Sequence, residues 1–448
     1  MGIFPWFGKR SFSHGVHPVR NKARTSTAPI RRLPFPQRLI VQLDQLIGIP
    51  ATPMVSKGQE VVRGEPITNV TDFFSVPLHA PATGVVRGIE MTPTVRGTKT
   101  PAIVIDVHQG DSQEVLYSTP HQLVLLSKDD LLHLIQRTGL VGLGGAAFPT
   151  HVKYTSPPDH EQEVDTLIVN GAECEPFLTA DHRVMVEQPK DIVRGIRYAM
   201  RATLAEQAII GIEADKFDAA EAIESCLKRD NDIRVKVLEP KYPQGAEKIL
   251  IKSLLGRTVP EGELPRSIGV AVSNVGTMAQ LGYLLPRGEG MIERVMTVSG
   301  PGVRQPGNYR IPIGAPLRFI LQEVGYEGEG AEVILGGPMM GMAVSDLDTP
   351  VTKGVSGILV LNEQSIDSAS DRNWPCIKCA RCVKACPMHL NPSILGQLAA
   401  KRQYDVMMEK HNLANCFECG CCSYVCPSKI SLVQYFRIAK AVHREMAA

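Results

Sequence analysis

The chain has 448 residues, 44% of them hydrophobic, and its 48 Lys/Arg against 46 Asp/Glu leave a formal net charge of +2. This length exceeds what one core organises, so several domains are expected, and the lack of a basic stripe argues against nucleic acid as the principal partner. No stretch reaches the roughly 18 apolar residues a transmembrane helix needs, so no membrane span is expected.

The start, Met1 to Phe7, is aromatic but broken by Pro5. It reads either as a disordered end or as a short segment docking on a membrane-embedded partner. Trp6 breaks the myristoylation pattern despite Gly2. Arg31-Arg32 runs into Leu33-Pro34-Phe35-Pro36 and not into an apolar region, which argues against twin-arginine export. Residues 1–35 are taken as an N-terminal extension.

Residues 36–120 carry Lys57 to Ile67 and Val76 to Val86, two glycine-punctuated runs similar to the barrel-sandwich hybrid of biotinyl and lipoyl carriers. The turn that presents the carrier lysine there, about Asn69 to Ser75 here, holds Asp72, Phe73 and Phe74 but no Lys. Covalent carriage is excluded on chemistry and a scaffold role is expected.

Ser127-Lys-Asp-Asp130 predicts a helix N-terminus, followed by the periodic Leu131-Leu132-x-Leu134-Ile135. The next turn holds Gly142, Gly144 and Gly145, then Phe148 and Lys153. Glycines let backbone N–H groups approach a phosphate closely. The turn follows a helix and not a strand, so it lacks the context of the usual dinucleotide fingerprint, and a plain glycine-rich turn competes. Three expected strands then end in polar residues: Asp165–Val169 before Asn170, Glu173 and Glu175; Arg234–Leu238 before Tyr242, Gly245 and Glu247; Ile268–Val272 before Ser273 and Asn274. In open α/β sheets ligands bind at such strand ends.

Of 11 cysteines, nine lie between Cys376 and Cys426, and dense Cys-x-x-Cys spacing without a signal peptide points to metal in a reducing compartment. The runs are Cys376, Cys379, Cys382, Cys386-Pro and Cys416, Cys419, Cys422, Cys426-Pro. This is the bacterial two-cluster ferredoxin spacing, in which the fourth Cys ligates the other cluster. One [4Fe–4S] cluster is thus expected on Cys376, Cys379, Cys382 and Cys426, and the second on Cys416, Cys419, Cys422 and Cys386. Zinc, whose ligands usually come as two pairs across a long spacer, fits poorly. Cys421 reads as a packed thiol, and Pro392–Glu409 as a helical linker.

Gly142-x-Gly144-Gly145-x-x-Phe148-Pro149-Thr150-x-x-Lys153 and Asn170-x-x-Glu173-x-Glu175-Pro176 resemble the FMN- and NADH-binding segments of the flavin subunit of respiratory complex I. Val298-Ser-Gly-Pro-Gly302 to Pro312-Ile-Gly314-Ala and Gly336-Gly-Pro-Met-Met-Gly341 resemble the SLBB β-grasp domain that follows it. Joined to the barrel-sandwich segment, Gly15-Val-His-Pro18 and the double-cluster tail, the combination is similar to the RnfC family of Rnf ion-pumping electron-transport complexes.

The resemblance implies a multidomain α/β chain: barrel-sandwich hybrid (36–120), Rossmann-like FMN/NADH-binding core (121–290), SLBB β-grasp domain (291–362) and α-helical two-cluster ferredoxin domain (363–448). It implies NADH oxidation through FMN to the two clusters, with Gly142, Gly144, Gly145 and Lys153 cradling the FMN phosphate. Asn170, Glu173 and Glu175 would meet the ribityl chain, flavin ring and nicotinamide, Phe148 and Tyr242 would flank the rings, and Gly245, Glu247 and Asn274 belong to the remaining flavin loops. Leu143, Ala246 and Ser273 replace polar residues of complex I, which points to a weakly held FMN. The implied partners are the other subunits of a membrane-embedded complex, including an iron–sulfur acceptor subunit. The implied place is peripheral, on the cytoplasmic face of the bacterial inner membrane. A relay module without nucleotide and a soluble NADH diaphorase subunit remain the competing readings.

Overall fold

The computed structural model describes residues 10–45, 48–110, 113–155, 163–227, 230–327, 332–362 and 373–447. The aromatic start and most of the linker between Asn362 and Asn373 lie outside them.

At the centre is a four-stranded parallel sheet in the order Ile233–Leu238, Gln207–Glu213, Thr166–Gly171, Val270–Asn274. Thr166–Gly171 is buried along nearly its whole length, as a central strand covered on both faces requires. Helices Pro189–Thr203 and Val275–Arg287 lie on one face, so close that a Cβ on Gly195 would enter the Met278 carbonyl and one on Gly282 the Asp191 carbonyl. Glu247–Leu255 covers the other face through Leu250, Ile251 and Leu254. The expected helix start at Ser127 is present: its side chain accepts from the Asp130 amide at 3.1 Å. The chain steps outward from Thr166–Gly171 through two strands, then returns to lay Val270–Asn274 on the opposite side. Strand order therefore reverses beside Thr166–Gly171, and a crevice opens at such a reversal.

A six-stranded sheet follows the order Ile30–Arg32, Gly307–Pro312, Glu293–Ser299, Gly357–Leu361, Glu332–Leu335, Met342–Val344. Its first strand comes from the N-terminal extension and runs parallel to Gly307–Pro312. A third unit pairs Arg38–Gln42, Lys99–Val107, Gly84–Pro93 and Glu60–Val61 around Val41, Val61, Ile67, Leu78 and Ile105. Its lysine-free turn is closed by Asp72, which accepts from the Phe74 and Ser75 amides at 2.6 and 2.9 Å. That turn packs on the central unit: Gln136 donates to the Ser75 carbonyl at 2.9 Å and His151 to the Phe73 carbonyl at 2.7 Å.

Lys353 joins these three units. It is buried, and its ammonium donates to the Gly139 carbonyl at 2.6 Å and the Pro77 carbonyl at 3.1 Å. Burial drops its pKa to about 7. The unfolded lysine titrates near 10.5, so the fold gains stability as pH rises from about 7 toward 10.5, and below pH 7 the cost is fully expressed. At most roughly 4–5 kcal/mol is involved. Thermal unfolding should therefore show the wild type gaining on Lys353→Met between pH 7 and 9; parallel pH profiles would contradict this.

The C-terminal module packs helices Arg381–Ala385, Pro392–Ala400, Tyr404–Glu409, Cys421–Tyr424 and Leu432–Ala447 around Leu395, Met407, Leu413, Val433 and Phe436. The linker expected as one helix over Pro392–Glu409 is broken at Lys401–Gln403, where Arg402 takes φ +55°. Met407 joins Leu395 and Ala399 in one core across the break. The N-terminal segment straps the units together. Val16 exchanges two backbone hydrogen bonds with Tyr242 (2.9 and 3.0 Å), Gly15 donates to the Ala385 carbonyl at 3.1 Å, and Phe177 donates to the Arg20 carbonyl at 2.8 Å.

Candidate functional site

Asn170 and Asn274 lie side by side in register where the strand order reverses. Asn274 caps helix Val275–Arg287, its side-chain oxygen accepting from the Gly276 and Thr277 amides (2.8 and 3.3 Å), while its amide nitrogen donates to Asp181 at 2.6 Å. Asn170 donates to the Gly245 carbonyl at 2.8 Å and accepts from the Ala172 amide at 3.0 Å. Gly245 passes so close to the Ala172 carbonyl that a Cβ would collide with it. These two asparagines shape the crevice walls with their polar atoms already partnered.

The glycine loop lies over this crevice. Its neck is closed by the Gly142 amide donating to the Phe148 carbonyl at 2.8 Å. The Leu143 amide donates to the Thr277 hydroxyl at 3.0 Å, and Arg294 donates to the Leu143 carbonyl at 2.5 Å. Leu143 itself is buried, so where complex I has a polar side chain this loop is held by its backbone. Gly144 and Gly145 are exposed, Gly145 takes φ +112°, and a Cβ there would meet nothing within 4 Å. Phe148 is half-buried on the same loop. Lys153, on the helix Thr150–Tyr154 that follows the loop, pairs with Glu247 at 2.7 Å and is partly exposed. Exposed backbone and open space at Gly144 and Gly145, with a cation on the helix that follows, fit a phosphate group.

Glu173, Glu175 and Tyr242 stand deeper. Glu173 accepts from the Asp181 and His182 amides (3.0 and 3.2 Å) at the start of helix Ala180–Glu187, and burial raises its pKa. Glu175 accepts from the Met339 and Met340 amides (3.1 and 2.9 Å); burial lifts its pKa to about 7, with those amides opposing. Tyr242 is 1% exposed and its hydroxyl donates to the Cys419 carbonyl at 2.7 Å. The ring expected beside the flavin is thus enclosed at the seam with the cysteine module. Burial pushes the Cys174 thiol up to about 12, in keeping with a packed and unreactive side chain.

The first three cysteines of one run meet the last of the other. Cys376, Cys379, Cys382 and Cys426 line a single cavity of about 230 Å³, walled by Pro375, Ile377, Ile430 and Leu432. Cys386 lies near enough to Cys416 and Cys422 to raise their pKa values, as Cys419 does that of Cys386. Burial is the larger cause and takes Cys416 up to about 11. Buried thiols of this kind ionise when a metal replaces the proton. The thiol-lined, apolar-walled cavity has room for a multi-atom cluster. Cys421 is fully buried against Val16, Tyr242 and Ala385.

Several residues at the site were not anticipated from the sequence. Glu213 ends strand Gln207–Glu213 and pairs with buried Lys216 at 2.5 Å, Lys22 donates to the Glu173 carbonyl, and Asp181 and Arg294 hold the crevice from beneath. The run Gln207-Ala-Ile-Ile-Gly-Ile-Glu213 carries a buried-strand signal ending in an acid. Nothing local marks Lys22, 151 residues from its partner.

Four family profiles match in the same order as these units. They are "RnfC Barrel sandwich hybrid domain" over 10–110, "Nuo51 FMN-binding domain" over 135–282, "SLBB domain" over 295–343 and "4Fe-4S dicluster domain" over 375–430. The C subunit of the proton-translocating ferredoxin:NAD(+) oxidoreductase complex of Clostridium ljungdahlii is 42% identical over 97% of this chain and 94% of its own. The chain belongs to the RnfC family. Another member, the C subunit of the Na(+)-translocating ferredoxin:NAD(+) oxidoreductase complex of Acetobacterium woodii, is 39% identical over 96% of both chains. The C subunit of the ion-translocating oxidoreductase complex of Haemophilus influenzae is 37% identical over 96% of this chain, which spans 52% of that protein. A crystal structure of NAD+-reducing [NiFe]-hydrogenase shares the fold at TM-score 0.53 and 20% identity, over 70% of this chain and 62% of that one. Among the described residues of this RnfC family member, no helix is long and apolar enough to cross a membrane.

Proposed function

We propose that the chain is the electron-input subunit of a membrane-bound, ion-translocating NADH:ferredoxin oxidoreductase of the Rnf type, working between NADH, FMN and two [4Fe–4S] clusters. FMN, when bound, accepts a hydride from NADH and yields electrons singly to iron–sulfur centres. The residues supply place and environment. Gly142, Gly144, Gly145 and Lys153 hold the phosphate, Phe148 lies beside the ring system, and Asn170, Gly245, Glu247 and Asn274 set the crevice walls. Glu173, Glu175 and Tyr242 close its inner end. Cys376, Cys379, Cys382 and Cys426 take one cluster, and Cys416, Cys419, Cys422 and Cys386 the other. No side-chain acid or base is needed, because hydride transfer requires none.

The observation that carries this reading is the hydrogen bond from Tyr242 to the Cys419 carbonyl, 2.7 Å long. It joins the strand end of the flavin core to a cluster-binding run, so the two redox sites share a wall. The partners are the other subunits of the complex, including an iron–sulfur acceptor, and the chain sits peripherally on the cytoplasmic face of the bacterial inner membrane. Titrating FMN into anaerobically reconstituted protein should quench flavin fluorescence saturably; no quenching up to millimolar FMN would contradict the reading.

A further inference from the structure

The two cysteine groups differ in what surrounds them. The group of Cys386, Cys416, Cys419 and Cys422 is closed in: Tyr242 donates to Cys419, Gly15 donates to Ala385, and Gly420 packs on the Met339 carbonyl. The other group is open. Every residue from Asn373 to Arg381 lies at the surface, Lys378 and Arg381 among them, while Trp374 and Ile377 also line the cysteine cavity.

Charge identifies what the surface meets. From Asn373 to Tyr404 there are five Lys/Arg (Lys378, Arg381, Lys384, Lys401 and Arg402) and no Asp or Glu. Residues 373–448 hold ten Lys/Arg against four Asp/Glu, a net +6, so the rest of the chain carries −4 of the total of +2. Two of those four acids are engaged away from the open side: Glu418 with Arg437 and Lys440 (3.2 and 3.1 Å), and Asp405 with His443 at 3.5 Å. No carboxylate among the described residues pairs with Lys378, Arg381 or Lys384.

We infer that this open, cationic face is the docking surface for an acidic protein carrying a one-electron centre, and that electrons leave the chain through the Cys376–Cys379–Cys382–Cys426 site. The inference rests on the proposed function and adds its exit. The step is a one-electron transfer: the thiolate-held site loses the electron that NADH supplied, the partner's oxidised centre gains it, and no bond or proton moves. The surface position of the Asn373–Arg381 segment puts the donor near the partner, and the cations steer encounter.

The test uses full-length holoprotein with Lys378→Glu, Arg381→Glu and Lys384→Glu combined, and a charge-keeping control of Lys378→Arg, Arg381→Lys and Lys384→Arg. Iron content and the NADH-driven reduction of menadione, a neutral small acceptor, are measured first and should match the wild type in both. Stopped-flow electron transfer to an acidic bacterial-type ferredoxin should then slow about tenfold or more at low ionic strength in the reversal variant only, with the difference vanishing near 0.5 M salt. Equal rates in the wild type and the reversal variant would overturn the docking surface. So would loss of binding to anionic-lipid vesicles with the protein-to-protein rate unchanged, which would make the face a membrane contact. A wild-type chain without NADH-reducible clusters would overturn the proposed function itself, and this inference with it.

Discussion

Cys426→Ala is expected to abolish the cluster of Cys376, Cys379 and Cys382 and to spare the cluster of its own run. The reason is spatial: Cys426 lines the same cavity as those three thiols, although it is 44 positions from the nearest of them in sequence. Cys386→Ala should do the reverse and remove the cluster of Cys416, Cys419 and Cys422. Each variant should retain about four of roughly eight iron atoms per chain. The two should then differ in function. The surviving centre of Cys426→Ala lies at the Tyr242 seam and should still be reduced by NADH. The surviving centre of Cys386→Ala lies beyond the gap and should be reduced far more slowly, while dithionite reduces both. EPR with iron analysis checks this; loss of each variant's own-run cluster would contradict the crossed arrangement.

Gly144→Glu should abolish FMN binding and leave iron content intact. Gly144 is exposed on the loop and does not need a left-handed backbone, and a Cβ there makes only an ordinary contact, 3.5 Å from the Asn274 Cβ. The fold therefore tolerates the substitution. A carboxylate placed about 4 Å from a phosphate costs on the order of 4 kcal/mol in a partly solvated site. Affinity should fall roughly a hundredfold or more. Gly144→Ala, which adds bulk without charge, should stay within about tenfold of wild type. Wild-type FMN affinity in Gly144→Glu would remove the glycine loop from the site.

What the sequence disclosed follows from how local each signal is. The cysteine runs carry their chemistry in spacing alone, and Cys376, Cys379, Cys382 and Cys426 line one cavity. The three strands and their polar ends were readable because buried parallel strands are continuous apolar runs; each begins one or two residues from its expected start, and Ile233–Leu238 ends where expected while the other two run two residues further. The work done by the polar residues was less legible. Asn274 reads as a ligand contact in a motif, yet its oxygen is occupied by capping a helix whose start is clear only in three dimensions. Tyr242 reads as an open aromatic, yet the cysteine module 177 residues later in sequence closes over its hydroxyl. Lys353 and Lys22 act entirely through distant carbonyl groups, and no local pattern encodes such partners. The lysine-free turn of the barrel-sandwich unit was excluded from carriage on residue type; its packing on Gln136 and His151 adds the scaffold contact.

NADH electrons are expected to reach both thiolate sites through a flavin held between the glycine loop and the Tyr242 seam. Anaerobic NADH titration of the reconstituted chain, followed by EPR with and without added FMN, tests this route most directly. Two reduced [4Fe–4S] signals should develop with NADH only when FMN is present. Reduction by NADH at the same rate without FMN, or no reduction with it, would contradict the flavin route.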